Sequence, residues 1–243
     1  LHLSIRRQRQ MCIRDSHYRI GLPASHRIYD QLDSFKPDII HVTSPTPLGQ
    51  LGLKYAQKRG IPVVSSYHTH FVSYFKYYGL QKLEPIGWQI LKKFYNQFDC
   101  VYVPSPSTAE ELEIRGFENI ELWQRGIDLS SFSSQKLNQE LKMNISPDQK
   151  PILLFVGRLV QEKDLDDLVK VDRILKSRSK DFKIVITGDG PMRSQLETQL
   201  PDAKFTGWLH GQQLSEIFAS SDIFVFPSTT ETFGNVILEA YAS

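Results

Sequence analysis

Residues 151–188 read PILLFVGRLVQEKDLDDLVKVDRILKSRSKDFKIVITG, and the pattern of this stretch decides the fold class. Unbroken apolar runs begin and end it, at residues 151–157 and 182–188. Residues 164–176 between them have the mixed polar and apolar spacing of a helix. Because an unbroken apolar run is typical of a strand buried on both faces, the stretch predicts two parallel strands joined by a helix.

The same alternation continues on both sides of this unit. The further predicted strands lie at residues 38–43, 62–67, 100–105, 119–123, 203–207 and 223–228. The further predicted helices lie at residues 48–59, 85–98, 107–115, 191–200 and 212–219, and from residue 235 onward. A polar stretch at residues 129–150 lacks this periodicity and predicts an interdomain connection. The sequence therefore predicts an α/β protein with two doubly wound Rossmann-like domains, residues 17–128 and 151–243.

Composition narrows the class of protein. Of the 243 residues, 40% are hydrophobic and 23% are charged, which is typical of a soluble globular protein. No apolar run reaches the about 18 residues that a membrane-spanning helix needs. Cys12 and Cys100 form neither a disulfide framework nor a metal-binding spacing, which indicates a reducing, cytoplasmic compartment.

Residues 1–16, LHLSIRRQRQMCIRDS, differ from the rest of the chain. Their four arginines and one aspartate contribute a charge of +3, so the remaining chain has a net charge of −1 instead of +2. A basic arm for nucleic acid is one interpretation. We favour a non-native tail outside the fold, and we expect no nucleic-acid partner.

Two acids, Glu231 and Glu239, have seven residues between them in FPSTTETFGNVILEAYAS (226–243). The predicted strand before them brings the loop to the carboxyl edge of a parallel sheet, where such sheets bind ligands. Gly234 begins a helix whose first amides would attract phosphate. The apolar composition of this helix predicts that it is mostly buried, and ribose hydroxyls would suit Glu239. The alternative interpretation is that Glu231 caps the helix and Glu239 pairs with an arginine.

Two cations are expected at the same edge. Arg158 and Lys163 follow the predicted strand at residues 151–157. A guanidinium and an ammonium group can bind a diphosphate and stabilise it as a leaving group without a metal ion. The alternative is that both are surface cations of an ordinary loop.

Several segments together carry a family resemblance. VGRLVQEKDLDDL (156–168) and FPSTTETFGNVILEAYAS (226–243) closely resemble the donor domain of retaining family 4 glycosyltransferases with the GT-B fold. SYHTHF (66–71), VPSPSTAEEL (103–112) and RGIDLSSF (125–132) resemble the acceptor domain and the domain junction of that family. Within it, the chain is similar to the α-mannosyltransferase and sulfoquinovosyl- or glucosyltransferase branches. The family continues at both ends, so both domains are expected to be incomplete, and the chain by itself to be a fragment that need not be active.

The resemblance implies a role for each matching residue. Arg158 and Lys163 would hold the donor diphosphate, Glu239 the ribose and Glu231 the transferred hexose. His68 matches an acceptor-side histidine near the reacting sugar. The backbone amides that would meet the sugar and phosphate are those around Phe233, Gly234, Asn235 and Val236.

The implied function is retaining, metal-independent transfer of a hexose from a GDP-mannose or UDP-glucose type donor to a sugar or lipid acceptor. No cofactor is expected besides this co-substrate. The alternatives are a sugar-nucleotide epimerase or a phosphorylase on the same fold, and a non-catalytic nucleotide-sugar-binding module. Residues 71–98 are rich in aromatic side chains and lysines, so peripheral contact with the inner face of the membrane is a further expectation.

Three further motifs resemble metal or dinucleotide sites but are predicted not to be such sites. His68 and His70 lack a third metal ligand, and the DLD motif at residues 164–166 places acids at the start of a helix. GDGP (188–191) lacks the third glycine of a dinucleotide-binding motif and predicts a strand-to-helix turn.

Overall fold

The computed structural model describes residues 25–124 and 126–243. These residues form two four-stranded sheets, one in each half of the chain, and all the strand pairs are parallel. The predicted α/β class with two Rossmann-like halves is therefore confirmed. The expected non-native tail, residues 1–16, lies outside the described residues.

The first half alternates helices and strands. Its elements are, in chain order, α1 (Ser25–Phe35), β1 (Ile40–Val42), α2 (Pro47–Arg59), β2 (Val63–Ser66), α3 (Glu84–Tyr95), β3 (Cys100–Val103), α4 (Pro106–Ile114) and β4 (Ile120–Leu122). The strands lie side by side in the order β1-β2-β3-β4. Hydroxyl caps begin two of the helices: Thr46 accepts from the Gly49 amide and Ser105 from the Thr108 amide.

The core of the first half lies between its sheet and helices. Leu53 from α2, Tyr95 from α3 and Leu112 from α4 are buried in one cluster with Val101 and Val103 of β3. Burial of these apolar side chains is the main force that holds the helices against the sheet. A 3-10 turn at Ser73–Tyr78 precedes α3 and lies on the side of the second half.

The segment at residues 129–150, expected to be an interdomain connection, packs against the second half. It contains α5 (Gln139–Ile145), which Asn138 caps. The Lys142 ammonium donates to the Asp222 carboxylate at 2.6 Å, and Ile145 is buried in the core. The sparse apolar residues of this segment are enough to dock one short helix.

The second half contains the two strands and the helix with which the sequence analysis began. Its elements are β5 (Ile152–Val156), α6 (Asp166–Ser177), β6 (Lys183–Thr187), α7 (Arg193–Gln199), β7 (Lys204–Gly207), α8 (Gly211–Ala219), β8 (Ile223–Phe224) and α9 (Asn235–Ala242). The strand order is β7-β6-β5-β8. β6 and β7 thus lie on one side of β5, and β8 lies on the other. Such a topological switch point, here between β5 and β8, opens a ligand crevice at the carboxyl ends of these strands.

Both faces of the second sheet are covered. Leu153 and Phe155 of β5 face one buried cluster, which includes Leu168 of α6. Ile152 and Leu154 face the other, which includes Phe218 of α8. Successive side chains of a strand point to opposite faces, so an unbroken apolar run is what two covered faces require.

Two of the element ends that differ from the sequence prediction lie at the carboxyl edge of the second sheet. The strand expected at residues 223–228 is paired only at Ile223–Phe224, although the Val225 amide still donates to the Leu154 carbonyl at 2.8 Å. The helix expected from residue 191 begins at Arg193. Gly188 and Gly190 occupy the turn before it, where a Cβ atom would meet the backbone of Gly157 and Leu159 within 2.4 Å, so the GDGP segment is the strand-to-helix turn that the sequence predicts.

The prediction that α9 is mostly buried is wrong. None of its residues is fully buried, and Tyr241 is 86% exposed. Val236 and Ala240 pack against the core beside α8, while Asn235 and Tyr241 are exposed. Apolar composition alone does not tell which face of a helix finds a neighbour. Within residues 25–124 and 126–243, no helix is both long and apolar enough to cross a membrane.

Candidate functional site

The loop after β5 and the loop after β8 meet at the switch point of the second sheet. The Lys163 ammonium donates to the Glu231 carboxylate, and these side chains are 16% and 30% exposed. The Lys163 Nζ atom also lies 5.5 Å from the centre of the Phe226 ring. The structure thus brings one predicted cation and one predicted acid into direct contact at the carboxyl ends of neighbouring strands.

Arg158 lies on the same loop and is more open to solvent, with a side chain that is 52% exposed. Its Nη2 atom is 3.8 Å from the Glu162 carboxylate, which is itself buried. Glu162 accepts a second contact, from the Tyr78 hydroxyl at 3.2 Å. Arg158 therefore keeps a free edge that can receive an anion, while Glu162 faces the first half.

The loop after β8 is held against the loop after β5 by its hydroxyl groups. Thr230 and Ser228 donate to the Glu162 carbonyl at 2.9 Å and 3.3 Å. At the end of this loop, Gly234 has φ 78°, a conformation that favours glycine. A Cβ atom there would also lie 2.9 Å from the Ile237 side chain. The backbone conformation therefore favours glycine at this position, and a larger residue would also displace the Ile237 side chain.

The N-terminus of α9 opens into the crevice without a side-chain cap from the described residues. The Ile237 amide bonds to the Gly234 carbonyl, so the amides ahead of it belong to the unpaired first turn. These are the amides of Asn235 and Val236, which the sequence analysis assigned to the ligand. An uncapped helix N-terminus is a binding position for phosphate.

The first half forms the opposite wall of the crevice. Thr232 donates from its hydroxyl to the His68 carbonyl at 3.1 Å, and its own carbonyl accepts from Ser105 at 2.9 Å. Since Thr232 follows Glu231, the backbone of His68 lies beside the loop that carries this acid. Phe233 completes the loop and is half-buried. Glu239 lies on α9, half-buried and slightly more than one turn after Gly234.

His70 and Tyr74 add buried titratable groups to this wall. Burial lowers the pKa of the His70 imidazole, while the charges of Glu111 and Glu231 act in the opposite direction. Burial raises the pKa of the Tyr74 phenol; the Arg158 charge opposes this rise. Both side chains are thus close enough to feel the charges of the crevice.

No group of three His, Cys, Asp or Glu side chains within the described ranges is arranged to hold a metal ion. Asp164, the first acid of the DLD motif, accepts hydrogen bonds from Tyr77 and Thr229. Burial alone would raise the pKa of the Asp164 carboxyl, but these bonds hold it below its ordinary value. Asp166 begins α6, as predicted for an acid at a helix N-terminus. Metal independence remains a prediction.

Sequence reasoning missed the contacts between the halves. Tyr77, Tyr78, Glu162 and Asp164 all meet in the crevice, although none was singled out as a site residue. Their positions in the sequence could have indicated these residues, since the two acids flank Lys163 and the tyrosines lie in an aromatic run.

Comparison with known proteins matches both halves to transferase families. The family model described as Glycosyltransferase Family 4 matches residues 3–131, and that described as Glycosyl transferases group 1 matches residues 150–243. The chain is 36% identical over 224 residues to the GDP-mannose-dependent alpha-mannosyltransferase of Mycobacterium tuberculosis, with 92% of this chain and 58% of that protein covered. It is 37% identical over 233 residues to the sulfoquinovosyl transferase SQD2 of Arabidopsis thaliana, with 92% and 44% covered. The chain thus spans about half the length of these relatives.

Solved structures share the fold. The sucrose-phosphate synthase of Thermosynechococcus elongatus superposes with a TM-score of 0.70 at 19% identity, covering 89% of this chain and 56% of that one. Anabaena Alr3699/HepE in complex with UDP-glucose superposes with a TM-score of 0.69 at 17% identity, covering 90% and 60%. The expected GT-B arrangement of two Rossmann-like halves is confirmed. The chain belongs to glycosyltransferase family 4, because the model of that family matches more than half of the chain and because both relatives are more than 30% identical to it.

Proposed function

We propose that the chain binds a nucleotide-diphosphate sugar in this crevice and transfers its hexose to a sugar or lipid acceptor. The observation that carries the proposal is the contact between Lys163 and Glu231 at the switch point of the second sheet. A cation for the diphosphate and an acid for the sugar thereby lie side by side. A nucleotide-diphosphate sugar needs this arrangement, because its sugar is bonded directly to its diphosphate.

The diphosphate is assigned to the positive groups of the crevice. Lys163 provides an ammonium, Arg158 a guanidinium with a solvent-open edge, and α9 the amides of Asn235 and Val236. Together these groups can neutralise the charge that develops on a leaving diphosphate. A metal ion is then not needed for this task, which is the basis for proposing a metal-independent reaction.

The sugar and the ribose are assigned to the acids. Glu231 ends in the crevice and would contact the hexose, and Glu239 on α9 would contact the ribose hydroxyls. His68, beside the Glu231 loop, would lie on the acceptor side. Retention of anomeric configuration rests on the family resemblance, and the anomer of the product, determined by NMR, tests it.

The relatives guide the choice of donor. One is named for GDP-mannose dependence and another as a sulfoquinovosyl transferase. We therefore propose GDP-mannose as the first donor to test, and UDP-glucose or UDP-sulfoquinovose as the second. Parallel assays with guanine and uracil nucleotides decide the base.

Binding and turnover are tested on the purified chain. Calorimetric titration with GDP and UDP, each compared with its nucleoside, measures whether the diphosphate provides the affinity. Incubation with the three sugar nucleotides and a panel of glycan and glycolipid acceptors, with and without a chelator, measures release of nucleoside diphosphate. A folded chain that binds neither GDP nor UDP more tightly than the nucleosides contradicts the proposed donor site.

We further propose that the first half contacts the inner, cytoplasmic face of a membrane. α3 and the turn before it expose apolar side chains on one side, with lysines among them. These residues are Leu80, Leu83, Ile86 and Ile90, with Lys82 and Lys93. Apolar groups flanked by lysines suit a bilayer with anionic lipids, where such lysines contribute about 1 kcal/mol each.

Sedimentation with lipid vesicles tests this surface. The chain is expected to bind vesicles that contain phosphatidylglycerol more strongly than vesicles of phosphatidylcholine alone. The double substitution Ile86→Ser and Ile90→Ser should weaken binding to both vesicle types, whereas Ile174→Ser, at an exposed position of α6, should leave binding unchanged. Equal binding of the unchanged chain to both vesicle types contradicts the proposal. So does weaker vesicle binding by Ile174→Ser without weaker binding by the double variant.

A further inference from the structure

Asp164 has a left-handed backbone conformation, uncommon for a residue other than glycine, at the edge of the candidate site. Its φ and ψ angles are 51° and 37°, in the left-handed region that glycine adopts without steric cost. It directly follows Lys163, which contacts Glu231. A non-glycine residue keeps such a conformation when surrounding contacts stabilise it, and strain of this kind is concentrated at functional sites.

The Asp164 carboxylate supplies these contacts. Its Oδ1 atom accepts from the Tyr77 hydroxyl at 2.7 Å, and its Oδ2 atom accepts from the amide and the hydroxyl of Thr229 at 3.0 Å and 2.9 Å. The Lys76 ammonium donates to the same Thr229 hydroxyl at 3.1 Å. Three donors on one ionised group form a strong, directional junction.

This junction joins three segments of the chain. Tyr77 belongs to the 3-10 turn of the first half, Asp164 to the loop after β5, and Thr229 to the loop after β8. Thr229 lies two residues before Glu231. One carboxylate therefore links the loops that carry Lys163 and Glu231 to each other and to the first half, beside the contacts that Thr232 makes with His68 and Ser105.

We propose that Asp164 is a positioning residue, which holds the first half closed against the donor loops across the crevice. Its effect on transfer depends on the function proposed above, whereas its effect on the separation of the halves does not. A glycine at this position would relieve the backbone strain but lose the junction. Local stability and closure of the crevice are thus expected to change in opposite directions.

The experiment compares the unchanged chain with four single-substitution variants. Asp164→Gly removes strain and junction together, and Tyr77→Phe removes the link to the first half alone. Asp164→Asn keeps an acceptor and tolerates the left-handed conformation, so it is the conservative rescue. Ser179→Gly is the matched control, since Ser179 has φ 52° at an exposed position after α6.

Small-angle X-ray scattering measures the separation of the halves without any need for activity. We expect a larger radius of gyration for Asp164→Gly and for Tyr77→Phe, an intermediate value for Asp164→Asn, and no change for Ser179→Gly. With an active donor and acceptor pair, Asp164→Gly should lower kcat by about tenfold or more, with a smaller effect on donor KM, because misplacement by about 1 Å costs on the order of a hundredfold.

The outcomes separate the two proposals. If Asp164→Gly and Tyr77→Phe scatter as the unchanged chain does, the positioning role is refuted, whatever the activity. If the unchanged chain transfers no hexose while both variants open the crevice, the positioning role stands and the transferase function fails. If Asp164→Gly does not fold, the radii of gyration of Tyr77→Phe and Ser179→Gly are compared. A larger value for Tyr77→Phe alone supports the positioning role, and equal values refute it.

Discussion

Replacing Glu231 by glutamine separates nucleotide binding from transfer. The substitution keeps the size of the side chain and removes the charge that pairs with Lys163. In the free protein this pair competes with a diphosphate for the ammonium group. Glu231→Gln is therefore expected to bind GDP and UDP more tightly than the unchanged chain does, and to transfer hexose more slowly.

The size of the binding effect follows from the environment of the pair. With side chains 16% and 30% exposed, the contact is partly screened by water. A hydrogen bond to a charged group contributes about 1.5–3 kcal/mol, and exposed pairs contribute less than about 1 kcal/mol. We take about 1 kcal/mol, which corresponds to roughly fivefold tighter binding of the diphosphate. Loss of a group that stabilises the transition state lowers kcat on the order of a hundredfold.

Calorimetry at low and at high salt measures the change in Kd, and release of nucleoside diphosphate from the sugar nucleotide measures kcat. Glu118→Gln, at an exposed position of the first half, is the matched control and should change neither quantity. The tighter binding should be largest at low salt, because salt screens the pair. Weaker diphosphate binding by Glu231→Gln would show that Glu231 orients Lys163 for the ligand. It would refute the expectation that Glu231 and the diphosphate compete for the Lys163 ammonium.

Three further substitutions test the scaffold. Gly234→Ala should lower stability by about 1–2 kcal/mol, because φ is 78° and a Cβ atom would meet Ile237; thermal unfolding measures this, and diphosphate affinity should fall with it. Burial opposes ionisation of Asp222, yet its hydrogen bond from Lys142 holds the pKa of its carboxyl below the ordinary 3.8. Its contribution should be full at neutral pH and lost as pH falls below about 4, so Asp222→Asn should flatten the acid limb in urea unfolding between pH 7 and 3. Leu112→Ala, at a fully buried position, should cost about 2–5 kcal/mol in the same assay, and a loss under 1 kcal/mol would contradict the assigned core.

Predictions that depend on local chemistry agree with the structure. The apolar runs at residues 151–157 and 182–188 contain β5 and β6, which pair in parallel. Gly234 immediately precedes α9, as predicted, and its φ of 78° is a conformation that glycine adopts without steric cost. Lys163 and Glu231 meet because parallel strands bring the loops at their carboxyl ends to one edge.

Predictions that depend on neighbours were less accurate. The composition of α9 indicated burial, but none of its residues is fully buried. Residues 129–150, expected to connect the domains, also dock on the second half through Lys142 and Ile145, a contact that the sequence did not predict. A hydrophobicity pattern shows which side chains favour burial, whereas the partner that buries them is set by packing.

The amino-acid sequence by itself determined the alternation of strands and helices, the two halves, and the loops on which the cations and acids lie. Periodicity and glycine conformation act over a few residues, and this information is present in any short window of the chain. Only the tertiary structure decided that Tyr77 reaches Asp164 and that Tyr78 reaches Glu162, at sequence separations of 87 and 84 residues. Such contacts depend on the relative placement of two separately packed cores, and a carboxylate can accept from any donor that this placement brings within reach.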